Sequence, residues 1–322
     1  MSLWSIMSGS MDLSVADVLK AVLDKTGLFS FEIPEFNSVT VWDLRLPRTM
    51  MGIAAGFALG AAGAGIQTAL NNPLASPYTM GVSGGAGFGA ASAIAFAFKI
   101  PFLPDIFLVS AFSFAGGLIP CVLIFFISRI KKASPGVVLL SGIALSYLFT
   151  SLTAVIQYFS TEQVLQQIVF WLFGSLSRAT WPAVGTVFAV IGISAPFFII
   201  NVWKLTALRL GDDAAEGLGV ETARLRIGVL AVSSVVTAAA VCFTGIIGFV
   251  GLVAPHICRM FSGEDHRFLL PGSCLTGAIL LVTADAAGRY FTGPYILPVG
   301  IITSFIGVPF FLYLVISGKR NY

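Results

Sequence analysis

Gly81-Val82-Ser83-Gly84-Gly85 has the Gly-x-Ser-x-Gly form of a serine nucleophile, and His256 stands in a second apolar stretch as a candidate base. The chemistry this suggests is hydrolysis by an intramembrane serine protease. In hydrolases the pattern works because a sharp strand-to-helix turn lifts the serine oxygen clear of the sheet. A short pattern of glycine and serine is expected by chance in a chain with 34 glycines. Gly85-x-Gly87-x-x-Ala90 imitates a dinucleotide fingerprint but opens no βαβ unit. His256, Cys258 and His266 lack the spacing that folds into a metal centre. Nearly all carboxylates lie in loops, with no pair in an enclosed setting suited to acid–base work. No catalytic, cofactor-binding or metal-binding residue is assigned.

The same residue types bear on energy coupling. Proton- and sodium-driven carriers need ionisable groups deep in the membrane. Asp285 is the one carboxylate inside an apolar run, near its end, and Arg289 follows four residues later, where a helix would pair them. An ion-coupled carrier is therefore the weaker alternative. No Gly-x-x-x-x-Gly-Lys-Ser/Thr occurs, so the chain has no P-loop with which to cradle ATP. A motor, if there is one, must be another subunit.

The elements that position these residues follow from composition. Hydrophobic residues make up 57% of the 322, charged residues only 10%, and the mean hydropathy is +0.94. A soluble domain carries about 25% charged residues, so this surface is suited to lipid. The net charge of +3 is spread over loops and forms no basic face, which argues against a nucleic-acid partner. The four cysteines stand singly and read as packing residues. Met1 to Asp12 has neither the basic start nor the apolar core of a signal peptide.

Apolar runs near residues 47–70, 81–98, 106–128, 136–159, 182–202, 227–245, 246–261, 269–288 and 298–317 are long enough to cross a ~30 Å hydrocarbon core. Runs this continuous predict helices rather than barrel strands. The expected fold is all-α, a polytopic helical membrane protein of about nine spans. Eleven of the 18 basic residues fall on one side, which is assigned to the cytoplasm; Lys20, Lys25, Arg45, Arg48, Lys99, Arg178 and Arg289 fall on the other. Residues 1–40 read as an N-terminal interfacial segment, with an amphipathic helix after Ser14 and a capping box between Ser14 and Asp17. Residues 41–322 form the transmembrane domain. Its longest cytoplasmic loop, 204–226, predicts short helices outside the membrane. Gly52, Gly56 and Gly60, and likewise Gly81, Gly85 and Gly89, form flat stripes for close helix packing.

Several runs resemble the permease family of binding-protein-dependent ABC importers for iron chelates (siderophores), haem and vitamin B12, the type II importer transmembrane subunit. They are Leu44-Arg45-Leu46-Pro47-Arg48-Thr49, Gln67-Thr68-Ala69-Leu70-Asn71-Asn72-Pro73-Leu74-Ala75, Gly81 to Gly87, Phe170 to Leu176, Gly248-Phe249-Val250-Gly251-Leu252-Val253-Ala254-Pro255-His256 with Asp265-His266-Arg267 after it, and Leu297-Pro298-Val299-Gly300. They stand in the family's order over residues 41 to 317.

The resemblance implies a multi-pass protein of the cytoplasmic membrane acting as two copies with a translocation path between them, though pairing with a paralogue is left open. Its other implied partners are two ATP-binding cassette subunits and an extracytoplasmic binding protein. It implies ferric siderophore as cargo ahead of haem, cobalamin or an oxyanion, and no cofactor. Arg45, Arg48 and Arg289 match positions that dock the binding protein, where a guanidinium suits a carboxylate. Asp212, Asp213, Glu216, Gly217 and Gly219 match the helices that couple to the ATPase. Asn72 and Leu74 match a cytoplasmic gate. Two departures stand out. The family's first of ten spans precedes a segment like Ser8 to Ser14, and here almost nothing precedes it; Ile296 stands where the family has glutamate.

Overall fold

The computed structural model describes residues 14–25, 34–96, 105–130, 134–292 and 297–317. Within them every regular element is helical: α1 (Val15–Lys25), α2 (Glu35–Ala69), α3 (Val82–Phe96), α4 (Asp105–Ile130), α5 (Pro135–Phe159), α6 (Glu162–Leu172), α7 (Trp181–Ile200), α8 (Val202–Leu208), α9 (Asp212–Gly217), α10 (Thr222–Thr244), α11 (Val250–Ser262), α12 (His266–Thr292) and α13 (Val299–Ser317). Ser8 to Leu13 and Ile296 lie outside the described residues.

Six helices, α2, α4, α5, α7, α10 and α12, are long and apolar enough to cross a membrane, and α3 and α13 are shorter apolar helices. The run at 246–261 is the exception to the expected pattern of spans. Its chain is non-helical up to Phe249, which has φ 65°, and only Val250–Ser262 is helical. Thirteen residues rise about 20 Å, too short for the hydrocarbon core. Hydropathy sees the apolar content here but not the positive φ angles of Gly245 and Phe249 that interrupt the helix.

α2 is the central helix, packed by α12, α10, α11 and α7, while α3 organises α4, α5 and α6; α10 touches both α2 and α4 and joins the two groups. The glycine stripes make this closeness possible. A methyl at Gly56 would collide with the Gly277 carbonyl of α12, and one at Gly60 with the Ser273 carbonyl. Gly85 and Gly89 of α3 face the Gly116 and Phe112 carbonyls of α4 in the same way; Gly81, expected on the same stripe, instead lies in the turn before α3 with φ 82°. In lipid, where apolar side chains gain little by leaving the solvent, such backbone-to-backbone contact is a main source of cohesion. Ser83, the candidate nucleophile, is buried in the first turn of α3, and the His256 ring packs on Phe310 instead of on a serine.

At the start of the chain Ser14 and Asp17 form the reciprocal cap: the Asp17 amide donates to Ser14 Oγ (3.1 Å) and the Ser14 amide to Asp17 Oδ2 (3.2 Å). Val18 and Ala21 of α1 bury against Val41 at the beginning of α2, where Thr40–Arg45 widens into a π-helical turn.

Candidate functional site: a backbone junction between two charged ends

Three chain segments meet with almost no side chain between them. Ser175 donates its amide to the Thr244 carbonyl (2.7 Å), and Gly300 donates to Gly174 (3.4 Å). Gly174 and Gly245 have φ of 68° and 73°, and a Cβ on either would strike a carbonyl of the other segment, Ile246 or Trp171. Gly300 abuts the carbonyls of Phe173 and Ile246. Glycine is required here because nothing larger permits the approach.

Beside this junction runs a groove of about 820 Å³. It is lined by Tyr78 and Thr79 after α2, Leu172 and Phe173 after α6, Phe249 and Leu252 around the start of α11, and Ser304 and Phe305 of α13. None of its lining side chains is charged. Phe249 holds its left-handed conformation against Gly307, where a Cβ would overlap the ring. Three of the sequence runs, those at 170–176, 248–256 and 297–300, thus enter one apolar groove, and the run 67–75 ends one residue before its Ser76.

The end of the bundle at the C-terminus of α2 is held by a polar network. The Leu74 amide donates to Asn72 Oδ1 (2.9 Å), a side-chain turn that leaves Leu74 exposed beyond the last turn of α2. Gln67, wholly buried, donates to the Leu252 carbonyl (3.2 Å) and accepts from Arg259 (3.0 Å). Arg209 reaches both Asn71 (3.2 Å) and Glu264 (2.8 Å), and Arg259 also meets Glu264 (3.2 Å). Thr68 Oγ1 lies 2.7 Å from Nε2 of the buried His266, whose amide donates to Thr206 of α8 (3.1 Å). Hydrogen bonds from the Arg267 side chain hold the Asp265 carboxyl below the usual carboxylate range, and the Arg267 guanidinium sits 4.4 Å from the Trp203 ring centre.

Helix α9, which carries Asp212, Asp213, Glu216 and Gly217, is fastened to this network by Arg226. That arginine is 3% exposed and donates from Nε to the Ala69 carbonyl (2.6 Å) and from Nη2 to the Asp212 carboxylate (2.7 Å). Glu216 accepts from Thr222 (2.7 Å). Asp213 and Gly217 are exposed, and among the described residues a Cβ on Gly217 would meet nothing. Gly211 and Gly219, at φ 97° and 82°, turn the chain at either end of the helix.

The opposite end gathers Arg45, Arg48, Arg289 and Asp285. Arg48 donates from Nε to both Asp285 oxygens (3.0 Å) and from Nη2 to Oδ1 (2.7 Å), and Arg289 Nη2 meets Oδ2 at 3.2 Å. All three arginines are at most 11% exposed. The i,i+4 pair of Asp285 and Arg289 follows from helical spacing; the partner 237 residues away, Arg48, does not. Trp181 donates its indole N–H to the Trp42 carbonyl (3.0 Å), setting the start of α7 beside the start of α2. Arg226, Arg209, Gln67 and the glycine junction are the functional candidates that sequence reasoning missed; their buried charge and positive φ become visible only with the partner segment in place.

A model of the FecCD transport family matches residues 1–317. The hemin transport system permease of Yersinia pestis is 37% identical over 282 residues, 87% of this chain and 84% of that protein. The iron(3+)-hydroxamate import system permease of Bacillus subtilis is also 37% identical, over 321 residues, 98% of this chain and 80% of that protein. A solved structure described as an inward-facing conformation of a metal-chelate type ABC transporter superposes with a TM-score of 0.80 at 32% identity, covering 94% of this chain and 96% of the other.

Proposed function

The chain belongs to the FecCD transport family, a multi-pass transport subunit of the cytoplasmic membrane, and on that premise we propose that it is the path by which an ATP-driven importer moves a metal chelate inward. The observation that carries this reading is the uncharged groove beside the glycine junction. A bulky chelate whose metal is already wrapped needs a smooth, weakly binding wall, and fixed charges in low dielectric would trap it. A coupled-ion site would instead require paired carboxylates along the groove, and its lining contains none.

A second copy of the chain completes the path. Helix α5 is the span least packed within its own subunit, with 17% of its central window buried, and Leu140, Tyr147 and Tyr158 stand exposed along it. Helix α13 exposes Phe305 and Tyr313 beside the groove. Two ATP-hydrolysing subunits engage α9, whose exposed Asp213 and Gly217 face outward while Arg226 anchors its other side. An external binding protein delivers the cargo to the end bearing Arg45, Arg48 and Arg289. Asn72 and Leu74 close the path at the α9 end, Leu74 as the apolar plug and Asn72 as the turn that sets it.

Among chelates, a ferric siderophore stands ahead of haem and cobalamin. The two permeases at 37% identity are named for hemin and for iron hydroxamate, so overall relatedness does not separate these cargoes. The test is reconstitution in liposomes with the ATPase and binding protein, each chelate offered in turn. Uptake that requires ATP and both partners is expected; uptake by this chain alone on a proton or sodium gradient would replace the importer reading with a carrier.

A further inference from the structure

A second cavity, of about 550 Å³, lies at the start of α7, roughly 30 Å along that helix from α8 and α9. Its polar wall is made by Arg178, by Gln163, Gln166 and Gln167 of α6, by Ser110 of α4 and by Thr180 just before α7. The Arg178 Nη2 atom is buried and has no hydrogen-bond partner. No carboxylate among the described residues forms an ion pair with Arg178, unlike Arg48, Arg209, Arg226 and Arg259, each of which has one. A buried guanidinium nitrogen left unbonded is costly. Burial also pulls the Arg178 pKa below the usual arginine range, a penalty that a bound anion would relieve.

Two further features point the same way. Thr180 occupies the N-cap of α7 but makes no side-chain cap, so the positive end of a 20-residue helix opens toward the cavity. The three glutamines are exposed at the rim with amide donors available to an anion. Most of the remaining wall is apolar, with Ile94 at the end of α3, Phe107 of α4 and Phe170 of α6.

We propose that this cavity is a binding site for a phosphate group that carries net negative charge, with no cation attached beside it, held by Arg178 and the rim glutamines. Phosphate matches a guanidinium in shape and charge. The apolar wall beside the membrane interface suits the head of an anionic phospholipid, with phosphate free in solution as the other source of the same chemistry. Such a site would make the outer half of α6 and α7, next to the arginine cluster that receives the delivery protein in our reading, sensitive to the charge of the surrounding lipid. The site stands whether or not that reading holds, because it concerns only groups within one chain.

The experiment uses the full-length chain in a neutral detergent. Native mass spectrometry with phosphatidylglycerol and phosphatidylcholine at equal concentration tests the lipid source, and the shift in unfolding temperature with inorganic phosphate at fixed ionic strength tests the free source. Retention of phosphatidylglycerol about tenfold above phosphatidylcholine is expected, falling to parity in Arg178→Gln. The double variant Gln166→Glu with Gln167→Glu changes only exposed rim residues and should also abolish the preference, so the test survives if Arg178→Gln fails to fold. A phosphate-dependent shift that the same variants remove, without lipid preference, would assign the site to free phosphate. Equal retention of both lipids with no phosphate shift, or a preference unchanged in the rim variant, overturns the proposal.

Discussion

Asp212 and Arg226 form an ion pair at 2.7 Å in which one partner is 44% exposed and the other 3%. Arg226 also donates from Nε to the Ala69 carbonyl, so a single guanidinium spans from α9 to the last turn of α2, two residues before Asn71 and the turn that presents Leu74. Movement of α9 would therefore pass through one guanidinium to the last turn of α2, from which the turn at residues 70–74 carries the proposed gate.

Lysine at position 226 keeps the charge but cannot hold both acceptors at once. Arg226→Lys should leave binding-protein-stimulated ATP hydrolysis at half or more of its normal rate while cutting uptake by about tenfold, the signature of a slipping link. Parallel measurement of hydrolysis and uptake in liposomes checks this, and a proportional loss of both would place Arg226 in simple stability.

Gly217 and Gly211 should separate docking from folding. Nothing lies within 4 Å of a Cβ on Gly217, so Gly217→Leu is expected to leave the chain folded yet block engagement of the ATPase, which pull-down on the assembled complex would show. Gly211 has φ 97°, so Gly211→Ala strains the chain by about 1–3 kcal/mol and should lower the unfolding temperature instead.

Asp285 neutralises a pair of arginines that would otherwise be buried together. Asp285→Asn removes the carboxylate that Arg48 and Arg289 share, and a loss of about 3–5 kcal/mol of stability is expected from thermal unfolding in detergent. For the same reason Arg48→Glu, which sets a second carboxylate against Asp285, should damage the fold, whereas Arg45→Gln, which removes a charge without adding an opposing one, is the milder probe of binding-protein docking. Because Arg45 is itself buried, Arg45→Gln should lower the unfolding temperature as well as weaken binding-protein docking severalfold at low salt, and the affinity is read on the folded fraction.

Gly56 and Gly192 both sit in spans and should respond oppositely to alanine. At Gly56 the added methyl meets the α12 backbone, which cannot yield, and a cost of about 1–3 kcal/mol is expected. At Gly192 on α7 it meets nothing, so Gly192→Ala should be neutral or stabilising by up to about 1 kcal/mol. Unfolding curves of the two variants side by side provide the check.

The sequence by itself determined the solvent, the helical class and the local pairings. Apolar content over 20 residues leaves no alternative to helices in lipid, and regular spacing was enough to read the Ser14–Asp17 cap, the Asp285–Arg289 pair and the glycine stripes, because each depends on residues within a few positions of one another. Tertiary structure alone decided what those features meet. That Gly56 faces Gly277, that Asp285 also holds Arg48, that Arg226 ties Asp212 to Ala69, and that Gly174, Gly245 and Gly300 close on one another depends on segments brought together from far apart in the chain. The apolar run at 246–261 shows the limit most plainly: hydropathy measures what a segment would gain in lipid, whereas the left-handed turn at Phe249 is set by the space Gly307 leaves for its ring, a property of two helices and not of one sequence window.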